Sequence, residues 1–305
     1  MQNVANVSVQ EFTQKLGLKI LCDSGREIRL ETDNVSRPGL VLAGYSALFA
    51  NERVQVIGQT EYSFLQTLDE ATRADRMEKL CASNVPCVIY TRELPVEDYV
   101  KESAHRNGVP LFVSPQDTTS FTSKLNYYLA ELLAPTEQIH AELMDISGVG
   151  VLIRGSSGIG KSETALELVK RGHRLVADDV VNVKRINETL LGTAPEEIRY
   201  YMELRGIGLV DIRSLYGASA LRQEAEIELV VDLEPWQNGK EYERIGDVPH
   251  YEKILGKKVP HIVLPITPGR NAAILLEAAA GVQRLQNLGY NAGAELLRRR
   301  TLPKE

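Results

Sequence analysis

Residues 149–172 read VGVLIRGSSGIGKSETALELVKRG, and inside them Gly155, Gly160, Lys161 and Ser162 keep the spacing G-x-x-x-x-G-K-S. The apolar run before the loop predicts a buried strand. After it, Ala165, Leu166 and Val169 share one face of a helix, and Gly172 stands where a helix ends in a left-handed residue. Strand, glycine loop and helix in that order make a P-loop (Walker A). The pattern commits this half of the chain to an α/β sheet with the loop at a strand's carboxyl end.

The residue types follow from what a phosphate needs. Glycines let backbone N–H groups approach at close range, and the helix N-terminus adds about half a positive charge. Gly155, Ser156, Ser157, Gly158, Ile159, Gly160, Lys161 and Ser162 form the expected nucleotide cradle. Lys161 reaches toward the β- and γ-phosphates and the Ser162 hydroxyl toward Mg²⁺. Downstream, HRLVADDVV reads as an apolar strand ending in Asp178 and Asp179. A next parallel strand would return its carboxyl end beside the loop. There one carboxylate can hold Mg²⁺ while the other accepts a proton from an attacking hydroxyl. Successive strand residues point to opposite faces, so the two acids are expected to differ in role, and which is the base stays open. The His-Arg-Asp and Asp-Phe-Gly motifs of eukaryotic-type protein kinases are absent. A phosphoryl-transferring kinase and a nucleotide-hydrolysing protein both fit, including a small-molecule kinase or NTPase carrying an unrelated N-terminal binding domain.

The rest of the 305 residues predicts a second, smaller α/β domain ahead of the first. VLAG (41–44), VQVIG (54–58), PCVIY (86–90) and PLFVS (110–114) read as short buried strands. DEATRADRMEKLCAS and TSFTSKLNYYLAELLA read as helices, the second with Phe121, Leu125, Tyr128, Leu129 and Leu132 on one stripe. Pro135 and the polar residues after it place a boundary between domains 1–134 and 135–305. In the second, IHAELMDISG alternates like a hairpin strand, IELVVDLE like a strand, and a final helix starts near Asn271, where Gly281 and Gly289 are candidate kinks.

With 43% hydrophobic and 25% charged residues the composition is that of a globular chain, and a net charge of −6 argues against a nucleic-acid-coating protein. No apolar run is long enough to cross a bilayer, and MQNVANVSVQEF has no basic-then-apolar leader, so a cytoplasmic protein is expected. Cys22, Cys81 and Cys87 make neither a disulfide framework nor a zinc pattern, and are expected as small buried side chains or free thiols. Arg298, Arg299 and Arg300 read as a solvated helix end or as a docking patch for an acidic partner.

Three stretches together, the loop with its strand and acids, MELRGIGLVDIRSLYG (202–217) and PITPGRNAAILLEAAA (265–280), resemble the bacterial HPr kinase/phosphorylase family. The resemblance runs through the whole chain. It implies an enzyme that uses ATP and Mg²⁺ to phosphorylate a serine of the phosphocarrier protein HPr, and that removes this phosphate with inorganic phosphate, giving pyrophosphate. It also implies a homohexamer and a place in carbon catabolite repression. Carried over residue by residue, His140, Lys161, Asp179 (with Asp178 beside it) and Arg244 match the active-site residues. Ser162 and Glu203 match the metal ligands, and the stretch holding Arg270 is tied to dephosphorylation. Without the resemblance His140 would read as a packed or capping histidine, and Glu203 and Arg244 as surface charges. Arg205 and Arg213, interleaved with glycines, suit a loop that closes over phosphate.

Overall fold

The computed structural model describes residues 4–240, 242, 250–267, 269–290 and 295. The chain divides into Met1–Ala134 and Pro135–Glu305. The first unit runs β1 (Ala5–Val7), α1 (Val9–Leu16), β2 (Lys19–Cys22), β3 (Ile28–Leu30), β4 (Val35–Ser36), α2 (Gly39–Leu42), β5 (Val54–Ile57), α3 (Gln59–Gln66), α4 (Glu70–Cys81), β6 (Val88–Tyr90), α5 (Asp98–Asn107), β7 (Leu111–Val113) and α6 (Thr118–Leu132). Its main sheet has the order β2-β7-β6-β5-β4, parallel from β4 to β7 with β2 antiparallel at the edge. The parallel strands are short and buried on both faces, which is why they read as apolar runs. Phe121, Leu125 and Leu129 carry the α6 stripe into one core, against Phe12, Val56 and Ile89. All three cysteines are free and buried, and burial pushes the Cys81 thiol up to about 12.

One expected strand is a helix instead. VLAG overlaps α2, a single turn that buries Leu42 and leaves Leu40 exposed. A four-residue apolar run carries no usable period, and Pro38 ahead of it favours a helical start.

The second unit runs β8 (Thr136–His140), β9 (Glu142–Ile146), β10 (Val149–Gly155), α7 (Lys161–Lys170), β11 (Arg174–Ala177), β12 (Val180–Ile186), β13 (Thr189–Thr193), β14 (Tyr201–Leu204), β15 (Gly208–Asp211), α8 (Ile212–Tyr216), β16 (Glu224–Pro235), β17 (His250–Ile254), β18 (Lys257–Ile266) and α9 (Ala272–Asn287). The sheet order is β11-β9-β10-β16-β13-β12-β8, and β18, itself paired with β17, also joins β16. Its parallel heart is β10, β16 and β18, with Arg154 beside Asp232 and Asp232 beside Val263. Alternation along the strands builds two cores. Val149, Val151 and Ile153 face α7 and α9, whereas Leu152 joins the opposite core with Leu143, Val181 and Ile227.

One expectation needs correction here. The strand after α7 is not the immediate neighbour of the loop strand, because β9 lies between β10 and β11, antiparallel to both. β11 still runs in the same sense as β10, so its carboxyl end arrives on the loop's side of the sheet. The strand ends at the acids as expected: β11 stops at Ala177, and the residues after Asp179 open β12, which turns away to pair with β8 and β13. IHAELMDISG holds the end of β8 and all of β9, which is buried along its whole length and turns through Ser147 and Gly148 into β10. α9 passes through Gly281 unbroken and ends before Gly289.

Candidate active site

The glycine loop is built as its residue types require. β10 ends at Gly155, and Gly158 and Gly160 adopt φ of 85° and 96°, backbone that a side chain would strain. α7 then starts at Lys161 and closes at its far end in a Schellman turn, with Gly172 N–H donating to Val169 and His173 N–H to Leu168. The Lys161 ammonium folds back over the loop and donates to the Gly155 carbonyl at 3.2 Å. Arg205, from the β14–β15 hairpin, donates to Ser157 Oγ at 2.7 Å and so reaches the loop from outside.

A cavity of about 260 Å³ opens beside the loop. Lys161 and Ser162 line it together with His140, Asp178, Asp179 and Glu203. The sheet register explains the meeting. β8 and β12 pair with His140 opposite Val180, and Ala141 N–H donates to the Asp179 carbonyl. That seats His140 Nδ1 3.2 Å from Asp179 Oδ1, both side chains about three-fifths exposed.

The two adjacent acids occupy different environments. Asp178 is buried, and its Oδ2 accepts from the Glu203 backbone N–H at 3.0 Å. Burial raises the Asp178 carboxyl above its ordinary value, against the pull of the Glu203 and Ser162 hydrogen bonds. Asp179 sits in the left-handed region at φ 66° and points into the open cavity.

Glu142, which carried no signal in the sequence beyond being an acid in an apolar strand, also lines the cavity. Pleating puts it on the α7 side of β9 with Met144 and Ile146, and sends Asp145 to the other side. It is 1% exposed and accepts from the Ser162 hydroxyl at 3.0 Å. Burial holds its carboxyl well above the ordinary value, and the neighbouring Asp178 charge adds to this. Glu142 Oε2 and Asp178 Oδ1 find no hydrogen-bond partner among the described residues. Buried carboxylate oxygens without donors, beside the Ser162 hydroxyl, are the hard oxygen set that Mg²⁺ takes. The site therefore fits the expected metal.

Other expected residues lie elsewhere. Arg270 is exposed, donates to the Pro265 carbonyl at 3.3 Å and does not line this cavity. Arg213 lies over the Tyr200 ring. Arg244 and Arg298, Arg299 and Arg300 fall outside the described residues.

Two family models match the chain, "HPr Serine kinase N terminus" over residues 7–129 and "HPr Serine kinase C-terminal domain" over residues 131–300. The chain belongs to the HPr kinase/phosphorylase family. The HPr kinase/phosphorylase of Caldanaerobacter subterraneus subsp. tengcongensis is 44% identical over 292 residues, covering 95% of this chain and 96% of that protein. The Bacillus subtilis HPr kinase/phosphorylase is 42% identical over 294 residues, covering 96% and 95%. Among solved structures, the Hpr(Ser) kinase/phosphatase from Coxiella burnetii aligns at 36% identity with a TM-score of 0.48, over 52% of this chain and 98% of that one. Family membership accounts for an α/β unit in front of the P-loop unit, each with its own family model. No helix among the described residues is long and apolar enough to cross a membrane.

Proposed function

We propose that this chain transfers the γ-phosphoryl group of ATP to a serine hydroxyl of HPr and, in the same cavity, returns it to inorganic phosphate as pyrophosphate. The observation that carries the reading is one cavity shared by the phosphate loop and the Asp179–His140 pair, in a member of this family. The loop N–H groups, Lys161 and the α7 N-terminus bind the ATP phosphates. Ser162, Asp178 and Glu203 would hold Mg²⁺, which when bound neutralises phosphate charge and orients the leaving group. Asp179 is the acid we assign as base. Both acids line the cavity, but Asp179 is about three-fifths exposed there, while Asp178 is buried and engaged by the Glu203 N–H.

In the forward direction the serine oxygen bonds to the γ-phosphorus, the bond to the β-phosphate oxygen breaks, and the serine proton passes to Asp179. His140 at 3.2 Å orients that carboxylate and shares its proton. In reverse, a phosphate oxygen attacks the phosphoserine phosphorus, the bond to serine breaks, and Asp179 returns the proton to the departing oxygen. Both reactions make or break the same serine–phosphorus bond, so the acid that takes the serine proton in one is placed to return it in the other. Arg205 closes on the loop, and Arg244 is assigned to charge on the moving group. Arg270 is assigned to the reverse reaction, and the working form to a homohexamer in the cytoplasm. Exposed Ile274, Val282 and Leu285 on α9, with Leu288 just past its end, offer an apolar surface for a neighbouring copy. The test is incubation with ATP, Mg²⁺ and purified HPr, followed by phosphoserine detection. Phosphoserine on HPr supports the reading, and ATP hydrolysis without phospho-HPr points to an NTPase.

A further inference from the structure

Glu142 belongs to none of the roles assigned above, yet it forms the floor of the same cavity. A lone buried acid normally finds a donor, because an unpartnered polar group away from water is costly. Glu142 has one, the Ser162 hydroxyl on Oε1. Among the described residues no N–H or hydroxyl donates to its second oxygen, nor to Asp178 Oδ1, the other buried carboxylate of the cavity, and the two carboxyls lie close enough to share a proton. Among the described residues lining the cavity, Lys161 spends a hydrogen bond on the Gly155 carbonyl and Arg205 spends one on Ser157. Two buried acids therefore face one small polar space, at the foot of a helix whose first turn carries the metal-binding hydroxyl. A proton shared between them satisfies one oxygen pair, and a hard cation with oxygen ligands, displacing that proton, satisfies both groups as anions.

We propose that Glu142 is a ligand of the divalent cation at the phosphate loop, completing with Asp178 and Ser162 a buried oxygen cradle on the inner side of the cavity. The position on β9 sets this up. The strand is pinned between β10 and β11, so the Glu142 side chain is delivered beneath the first turn of α7 by sheet register rather than by a loop. Glu203, on the β14–β15 hairpin, approaches from the exposed side. The cation is thus held between a rigid inner wall and an outer hairpin. The inference shares its cation with the function proposed above, but its test requires neither HPr nor turnover.

Glu142→Gln separates ligation from simple positioning. The amide keeps an oxygen to accept from Ser162, so a Glu142 that only orients the hydroxyl is replaced without loss. A Glu142 that contributes charge to the cation is not. Full-length protein is titrated with Mn²⁺ and the free ion is read by electron paramagnetic resonance. Binding of a fluorescent ADP analogue without metal is measured alongside as a check on the loop. The expected result is Mn²⁺ affinity weakened about 10-fold or more, with metal-free nucleotide binding within about twofold and a smaller Mn²⁺-induced rise in melting temperature. Should Glu142→Gln lower the melting temperature of the metal-free protein, the titration is run well below that midpoint, where circular dichroism shows the variant folded, with the same expectation. Mn²⁺ affinity unchanged in the folded variant overturns the proposal. Weakened Mn²⁺ binding in a protein that fails to phosphorylate HPr upholds the ligand and rejects only the reading of the reaction.

Discussion

The peptide joining Asp178 to Asp179 carries the chain out of a buried strand and into a left-handed turn. That single backbone feature turns one acid inward, under the Glu203 N–H, and the other outward beside His140. Asp179→Asn keeps the turn and removes the basic oxygen. Serine transfer should slow by about a hundredfold or more, with nucleotide affinity little changed, in single-turnover measurements beside equilibrium binding. Asp178→Asn should instead raise the Mg²⁺ concentration needed for half-maximal rate. Lys161→Ala removes the ammonium over the loop and should abolish both directions while circular dichroism shows the fold intact. The loop glycines, Lys161, Ser162 and the acid pair were legible in the sequence because each has a chemistry no other residue type supplies. Glu142 was not, since only the register of β9 puts it under Ser162.

At the scale of elements, β9 does most to place the site. It was readable as a strand, but its insertion between β10 and β11 was not, because hydrophobic period reports burial and not neighbours. The end of β11 at the acids was readable, but the departure of β12 to pair with β8 and β13 was hidden for the same reason. On its second face β9 carries Asp145, buried and gripped by Arg174, Arg222 and the Gly148 N–H. Burial alone would raise the Asp145 carboxyl, but the Arg222 and Gly148 hydrogen bonds and the two arginine charges outweigh it and leave it below the ordinary value. Asp145→Ala should lower stability by about 2 kcal/mol, since the arginines left behind are partly exposed and can rehydrate. Urea unfolding measures it. An aspartate held below its ordinary value stabilises the fold above that value and loses the contribution as pH falls through its folded value. The difference between the two proteins should therefore be full at neutral pH and shrink only below about pH 4. Gly150 fixes the neighbouring pair in another way: a methyl there would collide with the Glu226 carbonyl of β16, so only glycine permits this approach at the register shift.

For the whole molecule, the cores divide as the chain does. The buried clusters of the first unit use residues up to Leu129, and those of the second begin at Ala141, with no residue in common. Every residue lining the phosphate cavity lies in the second unit. Two calorimetric transitions are expected, and a non-hydrolysable ATP analogue with Mg²⁺ should raise only the one belonging to residues 135–305. The division was legible at Pro135, where a helical stripe stops and a polar stretch begins. The central claim, that one phosphate site runs the reaction both ways, is tested by giving the enzyme phosphoserine-HPr with and without inorganic phosphate and measuring pyrophosphate directly. A shared site predicts that dephosphorylation requires added phosphate, yields one pyrophosphate per serine freed, and is lost in Lys161→Ala. Rapid release of inorganic phosphate in phosphate-free buffer, with no pyrophosphate when phosphate is supplied, would mean hydrolysis and contradict it.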